Sequence, residues 1–232
     1  MVGQGRLIVS HLRLRRVLGV LSVALPFVLM LWGFALSGWS MELQDSISAY
    51  YSLRTRDAFV GTLVVIGLFL FTYRGYEHKD DVAGYLACVF ALGVAFFPSK
   101  PQGWESIVHF SSAAGLFLVL SFFSLILFTK TKTCEPPWWR RILSAFRFGP
   151  AKSGDSRTPQ KRWRDRVYVA CGLAMLACMA LTGLYSWLLE DTAVSNIKPV
   201  FWLESLMLWA FGISWFVKGD WLRLLKDKNP PA

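Results

Sequence analysis

Residues 59–76 read "FVGTLVVIGLFLFTYRGY", and a charged turn, "GYEHKDD", closes the run at 75–81. The apolar residues are contiguous. They do not alternate, so a barrel strand with one lipid face and one lumen face is excluded. A contiguous run of this length satisfies its own backbone hydrogen bonds as a helix, and as a helix it approaches the roughly 30 Å of a hydrocarbon core. Runs of the same kind occupy 17–37, 57–74, 82–98, 106–129, 167–188 and 199–217. The chain is 54% hydrophobic and 16% aromatic, and only 17% of its residues are charged. Such a composition displaces the soluble-domain reading that 232 residues would otherwise suggest. The expected fold is all-α: a polytopic integral membrane protein forming a six-transmembrane-helix bundle.

Charge supplies the orientation. The formal net charge is +10. If the N-terminus is cytoplasmic, all of the 25 Lys and Arg residues except Arg54, Arg56, Lys100 and Lys198 fall on the cytoplasmic side. The positive-inside rule therefore predicts N-in and C-in with an even number of spans. The basic excess is then topological and lipid-directed, and nucleic acid is not an expected partner. Cys88, Cys171 and Cys178 lie in spans and Cys134 in a cytoplasmic loop, so no exported disulfide framework is expected. A basic start before an apolar run also describes a signal peptide, with "ALSG" at 35–38 as the cleavage site; the length of the run favours a retained anchor. The expected location is a cell membrane, the inner one in a Gram-negative bacterium.

The domain layout follows: a basic arm at 1–16, a transmembrane domain at 17–217 with a cytoplasmic loop at 130–166, and a tail at 218–232. Pro26 is expected to kink the first span. Ala83, Ala87, Ala91 and Ala95 recur every fourth residue and predict close helix packing, with the third span central; Ala170, Ala174, Cys178 and Thr182 repeat the pattern in the fifth. Homo-oligomers stay open. In the long loop, "PPWWRRILSAFRF" (136–148) reads as a basic amphipathic helix that offers Arg140, Arg141 and Arg147 to anionic inner-leaflet lipids. "GPAKSGDSRTPQK" (149–161) reads as a polar tether, and "WLRLLKDKN" (221–229) as a second interfacial helix.

One polar segment interrupts the pattern. Residues 41–57, "MELQDSISAYYSLRTRD", form the first external loop. In this topology His109, Glu204, Glu105, Arg56 and Asp57 all lie near the same membrane face, beneath that loop. Two placements are open: a lid folded into the mouth of the bundle, or an amphipathic segment flat on the headgroups. Candidate ligand-binding residues are Tyr50, Tyr51, Arg54, Arg56, Asp57, Glu105, His109 and Glu204, with Arg54 or Arg56 contacting phosphate. Catalytic candidates are His109 as base, Glu204 or Asp45 as its partner, and Ser46 or Ser48 as nucleophile, with Ser111 and Ser112 near His109. No G-x-S-x-G elbow surrounds these serines, so a structural hydrogen bond between His109 and Glu204 is the favoured reading. A lone external histidine does not make a zinc site, and no phosphate-cradling glycine loop is visible, so neither metal nor cofactor is expected.

The first external loop with the start of the second span, "LQDSISAYYSLRTRDAFVG" (43–61), together with cytoplasmic termini, resembles the Frag1/DRAM/Sfk1-like group of six-span membrane proteins and related uncharacterised prokaryotic membrane families. The resemblance implies a six-span fold and a lipid-linked role, and carries no catalytic set. The single candidate histidine departs from the several-histidine zinc pattern of the ceramidase and progestin-receptor superfamily. The expected function is therefore a noncatalytic, lipid-interacting or lipid-organising membrane protein with an external polar pocket. A hydrolase or transferase acting on an outer-leaflet lipid, and a transporter or channel subunit, are the alternatives.

Overall fold

The structure, a computed structural model, describes residues 2–37, 42–73, 78–99, 103–130, 137–145, 158–188 and 193–221, with the side chains of 2–11, 78, 79, 141, 144, 193 and 194 left aside. Lys100, Cys134, Arg147, most of the 149–161 tether and the 222–232 tail fall outside the described residues. Seven α-helices are described: α1 (Val2–Leu36), α2 (Arg56–Phe71), α3 (His78–Phe96), α4 (Trp104–Phe122), α5 (Trp138–Ala145), α6 (Pro159–Leu188) and α7 (Pro199–Lys218). No strand occurs among the described residues.

The apolar runs became helices, and their limits moved. Backbone hydrogen bonding continues into polar sequence wherever no breaker stops it, so α1 takes in the basic arm and passes unbroken through Pro26. By the same logic α6 starts at Pro159, about two turns before its apolar part. At the far end of α4 a π turn at Phe123–Leu127 extends the helix, closed by Phe128 N donating to Phe123 O at 2.9 Å. Four helices are long and apolar enough to cross a membrane: α1 over Leu12–Leu36, α4 with its π turn over Trp104–Leu127, α6 and α7.

The long helices pack as a ring in the order α1, α2, α3, α4, α6, α7, and α7 closes back on α1. Small residues set the close approaches. Ala87, Ala91 and Ala95 of α3 are fully buried. A Cβ added at Gly84 would lie 2.5 Å from the Leu70 carbonyl of α2, so only glycine fits there. The α3 stripe therefore acts within the chain. The expectation that α3 is central is corrected: it sits in the ring between α2 and α4, because a stripe on one face serves one neighbour. The proposed α6 stripe is also corrected. Ala170 and Ala174 face outward, while Tyr168, Cys171, Gly172, Met175 and Cys178 make the packed face.

Among the described residues, buried aromatic and aliphatic side chains pack inside the ring. Toward the end remote from the 42–55 loop, Trp215 is buried among Phe128, Phe211, Tyr73 and Phe123, with ring centroids 5.2–6.1 Å away. Between α1 and α7, Phe27 stacks on Trp209 at 5.4 Å, and the Trp209 indole donates to Val23 O at 3.2 Å. The outer surface is apolar around the ring: Leu31, Trp32, Leu68, Val89, Phe110 and Leu181 are all at least half exposed. Such a belt is a liability in water and natural in hydrocarbon.

Candidate functional site

The polar loop closes one end of the ring, and it is built from its own sequence. The Ser46 hydroxyl accepts from Ala49 N at 3.0 Å and pairs with the Ser48 hydroxyl at 3.0 Å. This turn launches a short 3₁₀ helix, Ser48–Ser52. Thr55 then donates its hydroxyl to Tyr50 O at 3.2 Å, and α2 begins at the next residue. Tyr50 is fully buried against Phe201 of α7, and Tyr51 is buried edge-on against Phe59 of α2. Of the two placements open from sequence, the folded-in one describes the packing: Ile47, Ser48, Tyr50, Tyr51 and Thr55 are buried in the bundle end.

Main-chain contacts fasten this loop to α7. Glu204 accepts from Ile47 N at 2.6 Å, with the Ser48 amide beside the same carboxylate. Phe201 N donates to Asp45 O at 3.0 Å, and Lys198 meets the Asp45 carboxylate at 2.6 Å. That carboxylate raises the Lys198 pKa above its ordinary value by hydrogen bonding to the ammonium. Toward α3, Tyr51 donates to Phe96 O at 3.1 Å and accepts from Arg56 at 2.7 Å, and the guanidinium also lies 4.5 Å from the Tyr51 ring centre. Ser99 donates to Ser48 O at 3.3 Å. The Tyr50 phenol faces the Gln44 backbone without a well-formed hydrogen bond, and burial pushes its pKa up.

His109 has a different task. It is buried in the first turns of α4, and its Nδ1 lies 2.8 Å from Phe97 O. With Nδ1 protonated, the ring donates to a carbonyl that the end of α3 cannot satisfy, just before Pro98. The expected His109–Glu204 hydrogen bond is therefore corrected. Each group is taken by main-chain polar atoms, because a helix end and an irregular loop leave amides and carbonyls that burial requires to be paired.

The remaining candidates separate by exposure. Ser46, Ser48 and Ser112 make no hydrogen bond with His109, and Ser111 is exposed. Arg54, Arg56, Asp57 and Glu105 lie at the exposed rim, and the Asp45 side chain is 82% exposed. Asp57 and Glu105 occupy the first turns of α2 and α4, where a carboxylate complements the amide-rich helix end. Residues missed from sequence include Thr55 and Ser99, the Ile47 and Ser48 amides, and the Phe96 and Phe97 carbonyls. Backbone atoms have no residue signature; only the polar Ser and Thr in a buried loop hinted at the role. No cluster of three or more His, Cys, Asp or Glu able to hold a metal occurs among the described residues.

The fold and the site define an all-helical protein, built around membrane-capable helices, with a polar plug locked into one end. Comparison with family models, with curated proteins and with solved structures finds no match for this chain.

Proposed function

We propose that the chain is a noncatalytic membrane protein of six spans, N-in and C-in, whose loop-capped external mouth interacts with lipid headgroups. Six spans are supported by the ring: α2 and α3 lie alongside the membrane-capable helices and turn Val65, Leu68, Phe71, Val82, Leu86 and Val89 outward. The orientation rests on the basic residues, and the cell membrane follows from it.

One observation carries the lipid reading. The buried polar groups of the loop hold its own shape, while Arg54 and Arg56 stay exposed at the rim beside Tyr51. Arginine presents a planar fork suited to a phosphate diester. The aromatic residues beneath it, and Trp104 at 64% exposure, suit headgroup level. At the other end α5 exposes Trp138, Trp139 and Leu143 with Arg140 stacked on Trp139 at 5.0 Å, as an interfacial helix does. Arg166 donates to Ala145 O at 3.2 Å and ties α5 to α6.

The test is mass spectrometry of lipids that co-purify with wild type and with Arg54→Ala/Arg56→Ala in the same detergent. One phospholipid class enriched on wild type and lost from the variant is the expected result. Identical profiles refute a headgroup site at the rim. Headgroup turnover abolished by His109→Ala would replace the reading with a lipid hydrolase or transferase, and substrate-dependent flux in sealed vesicles would replace it with a transporter.

A further inference from the structure

The long helix α6 marks where a bilayer surface falls at the end of the ring remote from the loop. Residues 167–188 carry no charge, and at 1.5 Å per residue they span about 33 Å, close to the roughly 30 Å of a hydrocarbon core. Residues 159–166 precede that stretch and carry Lys161, Arg162, Arg164 and Arg166 against Asp165. Arg166 therefore stands at the boundary, and it fixes α5 there. Its guanidinium donates to Ala145 O at 3.2 Å and lies 4.9 Å from the centre of the Trp163 ring. Ala145, the last residue of α5, is buried. Trp139 and Leu143, one turn apart on α5, are exposed, and so is Trp163. Arg140 lies 5.0 Å from the centre of the Trp139 ring, and Arg162 stands one turn before Arg166 on the same face of α6. Neither Arg140 nor Arg162 forms an ion pair among the described residues.

A helix of 8 residues is too short to persist in water on its own propensity, and the exposed tryptophan and leucine of α5 call for a covering surface. At the level that Arg166 sets, that surface is the headgroup layer. An aromatic ring enters it with its apolar body toward the acyl chains, and an arginine beside the ring meets phosphate. With no carboxylate paired to them, Arg140 and Arg162 favour a negative surface over a neutral one. We infer that α5 and the first two turns of α6 form a docking surface for acidic phospholipids, with Trp139, Leu143 and Trp163 entering the headgroup layer and Arg140 and Arg162 contacting lipid phosphate. The inference rests on the reading of α5 as interfacial and names its partner. It is independent of Arg54 and Arg56 at the opposite end.

The full chain is placed, one copy per disc, in nanodiscs of phosphatidylcholine with and without phosphatidylglycerol, and hydrogen–deuterium exchange is followed in a peptide spanning residues 138–145. Protection is expected to rise with phosphatidylglycerol. Arg140→Gln and Arg162→Gln are each expected to reduce that rise about fivefold, the equivalent of about 1 kcal/mol for one basic group at an anionic surface. Trp139→Ala lowers protection in both kinds of disc. Equal exchange in the two discs, or a rise that Arg140→Gln and Arg162→Gln leave intact, overturns the acidic-lipid contact. Exchange as fast as that of an unstructured peptide in both discs leaves the face to a protein partner or a second copy, and overturns it as well. A peptide spanning residues 171–180 of α6 separates the readings. Protection there with an unresponsive α5 refutes this surface alone, and fast exchange there refutes the spanning helix on which both readings depend.

Discussion

Replacing Glu204 tests whether one carboxylate holds the loop in the bundle. Its Oε2 accepts from Ile47 N at 2.6 Å with the Ser48 amide adjacent, and Ile47 and Ser48 are 4% and 6% exposed. Water cannot take over these amides while the loop stays packed. Glu204→Gln keeps an acceptor oxygen and loses its charge, a change of about 1–1.5 kcal/mol when a charged hydrogen bond becomes a neutral one. Glu204→Ala removes the acceptor and leaves the buried amides without it, at about 1–3 kcal/mol for each donor. Hydrogen–deuterium exchange of a peptide spanning residues 44–52 reads this directly, since about 1.4 kcal/mol is tenfold in the local opening equilibrium. The expected result is exchange about tenfold faster in Glu204→Gln and more than 100-fold faster in Glu204→Ala, with the α6 core unaffected. Unchanged exchange in Glu204→Ala would mean that the loop is held by its tyrosines alone.

The other predictions use different forces. Gly84→Ala forces its Cβ against the Leu70 carbonyl and should lower stability by about 1–3 kcal/mol, while Gly61→Ala, with nothing within 4 Å, should be neutral; thermal melts in one detergent compare them. Lys130→Met removes the charged hydrogen bond that the lysine makes to buried Asp80 at 2.5 Å, and should destabilise by about 1.5–3 kcal/mol in denaturant titration. Lys198→Met removes an exposed ion pair, and should change exchange in the loop by no more than about threefold. Because the folded state raises the Lys198 pKa, the contribution of that pair is complete at neutral pH and is lost only as pH rises through the lysine range. The pair's share is read as the difference in loop protection between wild type and Lys198→Met, and a difference that disappears between pH 6 and pH 8 would contradict that assignment.

Much of the fold was legible along the chain. Helix formation and burial are sums over neighbouring residues, so contiguous apolar runs announced the long helices, and alanines at every fourth residue announced a close contact for α3 without naming its partner. Helix limits were less legible. Nothing in "RLRR" at 13–16 or "KRWRDR" at 161–166 stops a hydrogen-bonded spiral, so α1 and α6 ran past their apolar parts. The site was half visible: residues 41–57 stood out as polar, and His109 and Glu204 fell near the same end.

By itself the sequence determined that this protein is helical and membrane-capable, where its charge concentrates, and which loop is out of place. The tertiary structure alone decided partners. Glu204 and Ile47 lie 157 positions apart, and His109 meets the carbonyl of Phe97, 12 positions earlier on the chain. Those choices depend on which amides and carbonyls the ring leaves unpaired after its helices have closed, a property of the assembled bundle that no single segment carries.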